Sequence, residues 1–136
     1  MMNRILSPDE WHGAIGKLVL RLAFGGSMLF AHGIPKLQAW SEKASSFPDP
    51  IGVGSEASFA LTIFAEAFCA ALVVLGGLTR FALIPLIIAM ATAFFVVHGA
   101  DPFNVKELAF LYLGAYIAMF FIGAGRLSID SLIGRK

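Results

Sequence analysis

Residues 58–78 read SFALTIFAEAFCAALVVLGGL, a run that carries one charge, Glu66, almost at its middle. About 20 apolar residues is the length that crosses a bilayer as a helix, so this carboxylate is expected near the midplane. Ionisable side chains at that depth face the bundle interior and pair or bind something, whereas an unpaired Glu would stay protonated. The rest of the chain is therefore read for the company Glu66 keeps.

The 136 residues are 58% hydrophobic and 14% charged, with a mean hydropathy of +0.81, which is too apolar and too poor in charge for a soluble domain. The composition fits one small polytopic membrane domain over residues 1–136. A formal net charge of +1, with no basic run longer than Arg135-Lys136, leaves no electrostatic footprint for nucleic acid. Cys69 is the sole cysteine, which excludes an intrachain disulfide, a CxxC redox pair and a thiolate metal site built from this chain alone. It reads as a packing residue, since a buried thiol away from positive charge is inert. The first 13 residues are polar and precede an apolar stretch interrupted by Lys17 and Arg21, unlike a signal peptide, so the first span is expected to be retained.

Four spans are expected, at about 14–33, 57–78, 81–98 and 105–123. Ser7-Pro8-Asp9-Glu10 has the capping chemistry of a helix start. In the first span Arg21, Gly25, Met28 and His32 share a face at 100° per residue, and Gly33 and Pro35 are expected to end the helix. Gly76-Gly77-Leu78-Thr79-Arg80 reads as a tight turn that makes spans two and three antiparallel neighbours. Asp101 before Pro102, or Asn104 three residues before Glu107, can cap the fourth helix. The stretch 36–56 is polar, with Pro48, Pro50, Gly52 and Gly54, and reads as a loop. It is either a lid or a surface loop seated at the headgroups by Trp40 and Phe47.

Basic residues orient the bundle. Arg4, Lys17, Arg80, Arg126, Arg135 and Lys136 fall on one side, and Lys36, Lys43 and Lys106 on the other. The positive-inside rule then places both termini in the cytoplasm and the 36–56 loop outside. On the expected span limits Arg21 and Glu66 differ in depth by about 6 Å. They are expected to pair, either as structural glue or around a Glu that handles protons or a ligand. At the outer end His32, Lys36, His98 and Glu107 gather residue types suited to a polar headgroup or to moving protons. No metal site is expected, because the two histidines and the carboxylate lie on different elements without helical ligand spacing. Each of the four also has a plainer reading, as an interfacial His, a snorkelling Lys or a helix-start Glu.

RLAFGGSMLFAHGIPKL in the first span, AEAFCAALVVLGGLTRFA across the turn and KELAFLYLGAYIAMFFIGAGRLSID at the end resemble the DoxX family of four-span membrane proteins. The match rests on Arg21, Gly33 and Lys36, on Glu66 and the turn after it, on Glu107, and on Gly123-Ala124-Gly125-Arg126 with Asp130. The resemblance implies an all-α four-helix bundle, multi-pass in the bacterial inner (cytoplasmic) membrane. It also implies links to quinone-dependent thiosulfate oxidation and to membrane oxidoreductase complexes. On these grounds the expected function is a redox-associated component that binds a quinone or a lipid-like ligand, with a possible soluble oxidoreductase subunit as partner. Its candidate ligand-binding or proton-handling residues are Arg21, His32, Lys36, Glu66, His98 and Glu107, and none is assigned a catalytic role. The alternative is a non-catalytic membrane scaffold, or a small transporter-like partner of a soluble protein.

Overall fold

Four apolar runs become four long helices, each of a length and composition that crosses a membrane: α1 (His12–Gln38), α3 (Ser55–Leu75), α4 (Thr79–Val97) and α5 (Phe103–Ile122). A one-turn helix α2 (Trp40–Lys43) follows α1, and a short α6 (Ile129–Ile133) follows α5. The structure, a computed structural model, describes residues 10–134, with side chains from residue 12 onward. The Ser7-Pro8 helix start and the basic residues Arg4, Arg135 and Lys136 lie outside the described residues.

The helices run up and down in a ring, with α1 packed on α3 and α5, and α4 packed on the other sides of the same two. Met28, Cys69, Val73, Leu83, Leu86 and Tyr116 fill the centre. The ring outside them is apolar and exposed, the inverse of a soluble bundle, because hydrocarbon rather than water is the solvent there. Two tyrosines from α5 tie it to α1: the Tyr112 hydroxyl donates to Ser27 Oγ at 2.8 Å and the Tyr116 hydroxyl to the Phe24 carbonyl at 2.9 Å.

Gly33 and Pro35 do not end the first helix, which continues to Gln38. Two wide π-turns precede the proline, Arg21–Gly25 and Leu29–Gly33. A π-turn holds one extra residue, which loosens the ladder at the point where a missing N–H would otherwise break it. The same insertion rotates the buried face. Arg21, Gly25 and Met28 are buried as their spacing predicts, but the next buried residue is Gly33, and His32 turns toward Tyr112 of α5 with ring centroids 5.9 Å apart. Similar π-turns lie at Phe64–Cys69 in α3 and Ala93–Val97 in α4.

At the end of the bundle where α1 begins and α5 ends, helix ends are closed by charged side chains. Arg21, 2% exposed, spends its guanidinium on four carbonyls: Nε donates to Val73 at 3.0 Å, Nη2 to Val74 at 2.9 Å, and Nη1 to Ala124 at 3.0 Å and Leu127 at 2.7 Å. The last turn of α3 and the segment after α5 thus receive donors for carbonyls at helix ends, of which Val73 also accepts the Gly76 amide at 3.1 Å. Arg80 does the same for α5, donating to Phe120 at 2.9 Å and Phe121 at 3.3 Å. Asp130 closes the opposite pole, accepting the Leu78 and Thr79 amides at 2.7 and 3.0 Å at the start of α4. Burial alone would raise the Asp130 carboxyl, but those amides and the charge of Arg21 outweigh it and hold it below the usual carboxylate range. Gly76 is required here: it sits at φ 71°, and a Cβ on it would lie 2.9 Å from the Arg21 guanidinium.

The expected Arg21–Glu66 pair is therefore absent. Gly33, not Arg21, lies level with Glu66, and Gly33 is 12 residues from Arg21, about 18 Å along a helix. An arginine side chain cannot cover that distance. The depth argument failed because it took the first span to end five residues too early.

Candidate functional site

The site begins with a close approach of two backbones. A Cβ at Gly33 would overlap the carbonyl of Glu66 and lie 2.6 Å from the Ala67 amide nitrogen, so only glycine lets α1 and α3 cross this tightly. Both helices are in π-turns at the crossing. Lys36, one turn beyond Gly33, then reaches Glu66, with Nζ 2.5 Å from Oε2. Glu66 is 5% exposed and belongs to the buried set, while the Lys36 side chain keeps 25% of its surface. A buried carboxylate has thus found a cation, and the cation remains partly open to something else.

What it opens to is a cavity of about 590 Å³. One wall is α3, through Ser58, Leu61, Thr62, Ala65 and Glu66, and the other is α4, from Pro85 to Val97, with His98 just beyond its end. Phe47, Pro48, Pro50 and Ile51 form a roof from the loop. The lining is overwhelmingly apolar, with Lys36 and Glu66 as its charged pair. Leu61, Phe64 and Ile88 are exposed on the outer faces of α3 and α4 and also line the cavity, so its mouth opens sideways, where hydrocarbon would lie.

The loop is shorter than its sequence suggests, because α1 and α2 take up the residues to Lys43. Trp40 and Phe47 both pack on the fully buried Phe59 of α3, at centroid distances of 5.4 and 4.6 Å, so they seat the loop on the bundle. Asp49 ties it down further, accepting from Val53 N at 3.0 Å, Gly54 N at 2.8 Å and Ser58 Oγ at 2.8 Å. The Ser58 hydroxyl and then the Gly54 amide hold the Asp49 carboxyl below the usual carboxylate range.

Of the six candidate residues, the cavity gathers three: Lys36, Glu66 and His98. His98 Nδ1 lies 2.8 Å from Asp101 Oδ2, so Asp101 engages the histidine instead of capping α5, which starts after Pro102 without a side-chain cap. His32 stands at the α1–α5 contact beside Tyr112, outside the cavity lining. Glu107 is exposed on α5 and does not line the cavity either. Arg21 is engaged at the other end of the bundle. Among the described residues no three His, Cys, Asp or Glu side chains converge as a metal site would require.

The small residues on the Glu66 face, Thr62 among them, signal room beside the carboxylate, but sequence reasoning missed the α4 wall and the latch. Ser58, Thr62 and Ala65 on α3 face Ala89, Thr92 and Ala93 on α4, small residues at helical spacing that leave the space between the two helices. That spacing was the available signal. Asp49 followed by Gly52 and Gly54 was the signal for the latch, an acidic residue before two glycines whose φ values are 76° and 100°.

Comparison with known proteins gives the family. An uncharacterised protein of Haemophilus influenzae is 28% identical over 127 residues, covering 88% of this chain and 83% of its own length. No solved structure matches. The family model named DoxX matches residues 16–99, a stretch that includes the Gly33 crossing, Lys36, Glu66, the cavity walls and His98. With more than half of its length matched and four membrane-spanning helices, the chain belongs to the DoxX family of integral membrane proteins.

Proposed function

We propose that this protein is a redox-associated component of the bacterial inner membrane that binds a quinone-like lipid in the cavity between α3 and α4. The observation that carries the reading is a partly buried donor–acceptor pair, Lys36–Glu66, lining a sideways-opening apolar cavity of about 590 Å³. That volume lies within the range of small-molecule sites, roughly 300–1,000 Å³. It suits a ring headgroup with the first part of an apolar tail, the remainder of which leaves through the mouth.

The pair also favours a particular headgroup chemistry. Glu66 already neutralises Lys36, so an anionic headgroup would bring a second negative charge to a carboxylate at low dielectric. A neutral headgroup avoids that cost. A carbonyl oxygen takes a hydrogen bond from Lys36, and the hydroxyl of the reduced form gives one to Glu66, so both redox forms find a partner. When bound, a quinone supplies two-electron, two-proton chemistry. This chain supplies the orientation, the exclusion of water and a carboxylate placed to accept a hydrogen bond from the reduced headgroup. A soluble oxidoreductase subunit is the proposed electron partner. We place both termini in the cytoplasm, which puts the roof, His98 and the Lys36 end of α1 on the extracytoplasmic side.

Mass spectrometry of lipid co-purified with the protein, followed by titration of a decyl-tailed benzoquinone against the protein in lipid nanodiscs, tests the reading. Tryptophan quenching should report saturable binding, weakened about tenfold by Lys36→Met or Glu66→Gln through loss of a hydrogen bond to a charged group. If no quinone co-purifies and none binds, the quinone reading fails, and the scaffold or transporter-like reading takes its place.

A further inference from the structure

We propose that the ligand reaches the cavity through the membrane, between α3 and α4, while the Asp49-latched loop seals the aqueous route, so that the site selects membrane-partitioned ligands over water-soluble ones with the same headgroup. The inference rests on the reading above and adds its route of access and its substrate class.

Two features of the cavity point in the same direction. The first is the sideways mouth: Leu61, Phe64 and Ile88 are exposed apolar side chains on the lipid faces of α3 and α4, and they also line the cavity. A ligand dissolved in the outer leaflet meets no polar barrier there. The second is the roof. Phe47, Pro48, Pro50 and Ile51 cover the cavity from the loop side. Asp49, between the two prolines, accepts three hydrogen bonds, from Val53 N, Gly54 N and Ser58 Oγ. The Ser58 bond joins the loop to the first turn of α3, and the Phe47–Phe59 and Trp40–Phe59 contacts hold it beside that turn. Proline on each side of Asp49 restricts the backbone and leaves it few alternative conformations. A polar molecule arriving from water must break this latch, whereas one arriving from lipid does not.

The two routes make different predictions for one headgroup with and without a tail. The full chain in lipid nanodiscs is mixed rapidly with a decyl-tailed benzoquinone or with its tail-less analogue, and quenching of tryptophan fluorescence gives association rates. In the wild type the tailed quinone should associate readily and the tail-less one slowly. Asp49→Ala should raise the tail-less rate about tenfold and leave the tailed rate unchanged, with Asp49→Asn, which keeps the size and one acceptor oxygen, in between. A tail-less rate that is the same in wild type and Asp49→Ala overturns the sealed roof, and a tailed rate that rises with the mutation overturns lateral access. Both results leave the ligand reading standing. Failure of both quinones to bind wild type overturns that reading and this inference together.

Discussion

Arg21→Met removes a buried side chain that makes four hydrogen bonds and leaves an unbranched apolar chain of similar length. Four hydrogen bonds from a charged donor are lost, each contributing roughly 1.5–3 kcal/mol, a gross loss of about 6–12 kcal/mol. Against this stands the desolvation of the guanidinium, several kcal/mol that methionine does not incur. Part of the loss is also recovered as the Ala124 and Leu127 carbonyls, beyond the end of α5, find water. The net expectation is a destabilisation of about 3–5 kcal/mol, in line with other removals of one partner from a buried charged cluster. Arg21→Lys keeps the charge but not the planar fork, and should lose about 1–3 kcal/mol. Equilibrium unfolding in detergent, followed by circular dichroism, measures both. The same assay supplies a double-mutant cycle: Arg21 and Glu66 should be additive within about 0.5 kcal/mol, whereas Lys36 and Glu66 should couple by more than that. An Arg21→Met protein as stable as wild type, or strong Arg21–Glu66 coupling, would refute the assignment.

Gly33→Ala should separate α1 from α3 and cost about 1–3 kcal/mol, with loss of the Lys36–Glu66 contact, and unfolding together with quinone affinity would show it. Unchanged values of both would mean that the crossing is looser than described. Asp130→Asn should cost about 1 kcal/mol at neutral pH, through its two amide bonds at the start of α4. Because the Asp130 carboxyl sits below its ordinary range, its contribution is fully present above about pH 4 and is lost as pH falls through the lowered value. The stability gap between the two proteins should therefore close in acid, and a gap that stays constant from neutral pH to pH 2.5 contradicts it. Reporter fusions after Ser46 and at Lys136 should give extracytoplasmic and cytoplasmic signals respectively, and the reverse pattern overturns the proposed orientation.

Four spans, the tight turn at Gly76-Gly77 and the burial of Glu66 were all legible in the sequence, because each follows from length, composition or a local conformational preference. The partners of the charges were not. They depend on axial register between helices, and that register turned on whether the chain remains helical through Pro35. Two π-turns decide this, and nothing in the apolar pattern marks them. The slip of the buried face from His32 to Gly33 is the same effect seen in rotation. Lys36 was legible as a chemical candidate but not as the partner of Glu66, and His32 and Glu107 shared an end of the bundle with Lys36 and His98 without sharing their cavity. Grouping residues by depth fixes one coordinate; the angle around the helix axis is the other, and an inserted residue changes it by about 100°.

The Arg21 cluster also imposes an order on assembly. Its guanidinium lies in the first span, but two of its four acceptors, Ala124 and Leu127, are 103 and 106 residues later in the chain. While the protein is being made, the first helix enters the membrane with a cation whose final partners do not yet exist. Its four bonds can close only after α3 and then the segment after α5 have been made. A product truncated after Ile122 would therefore hold four spans of normal hydropathy around an arginine that has lost two of its four acceptors.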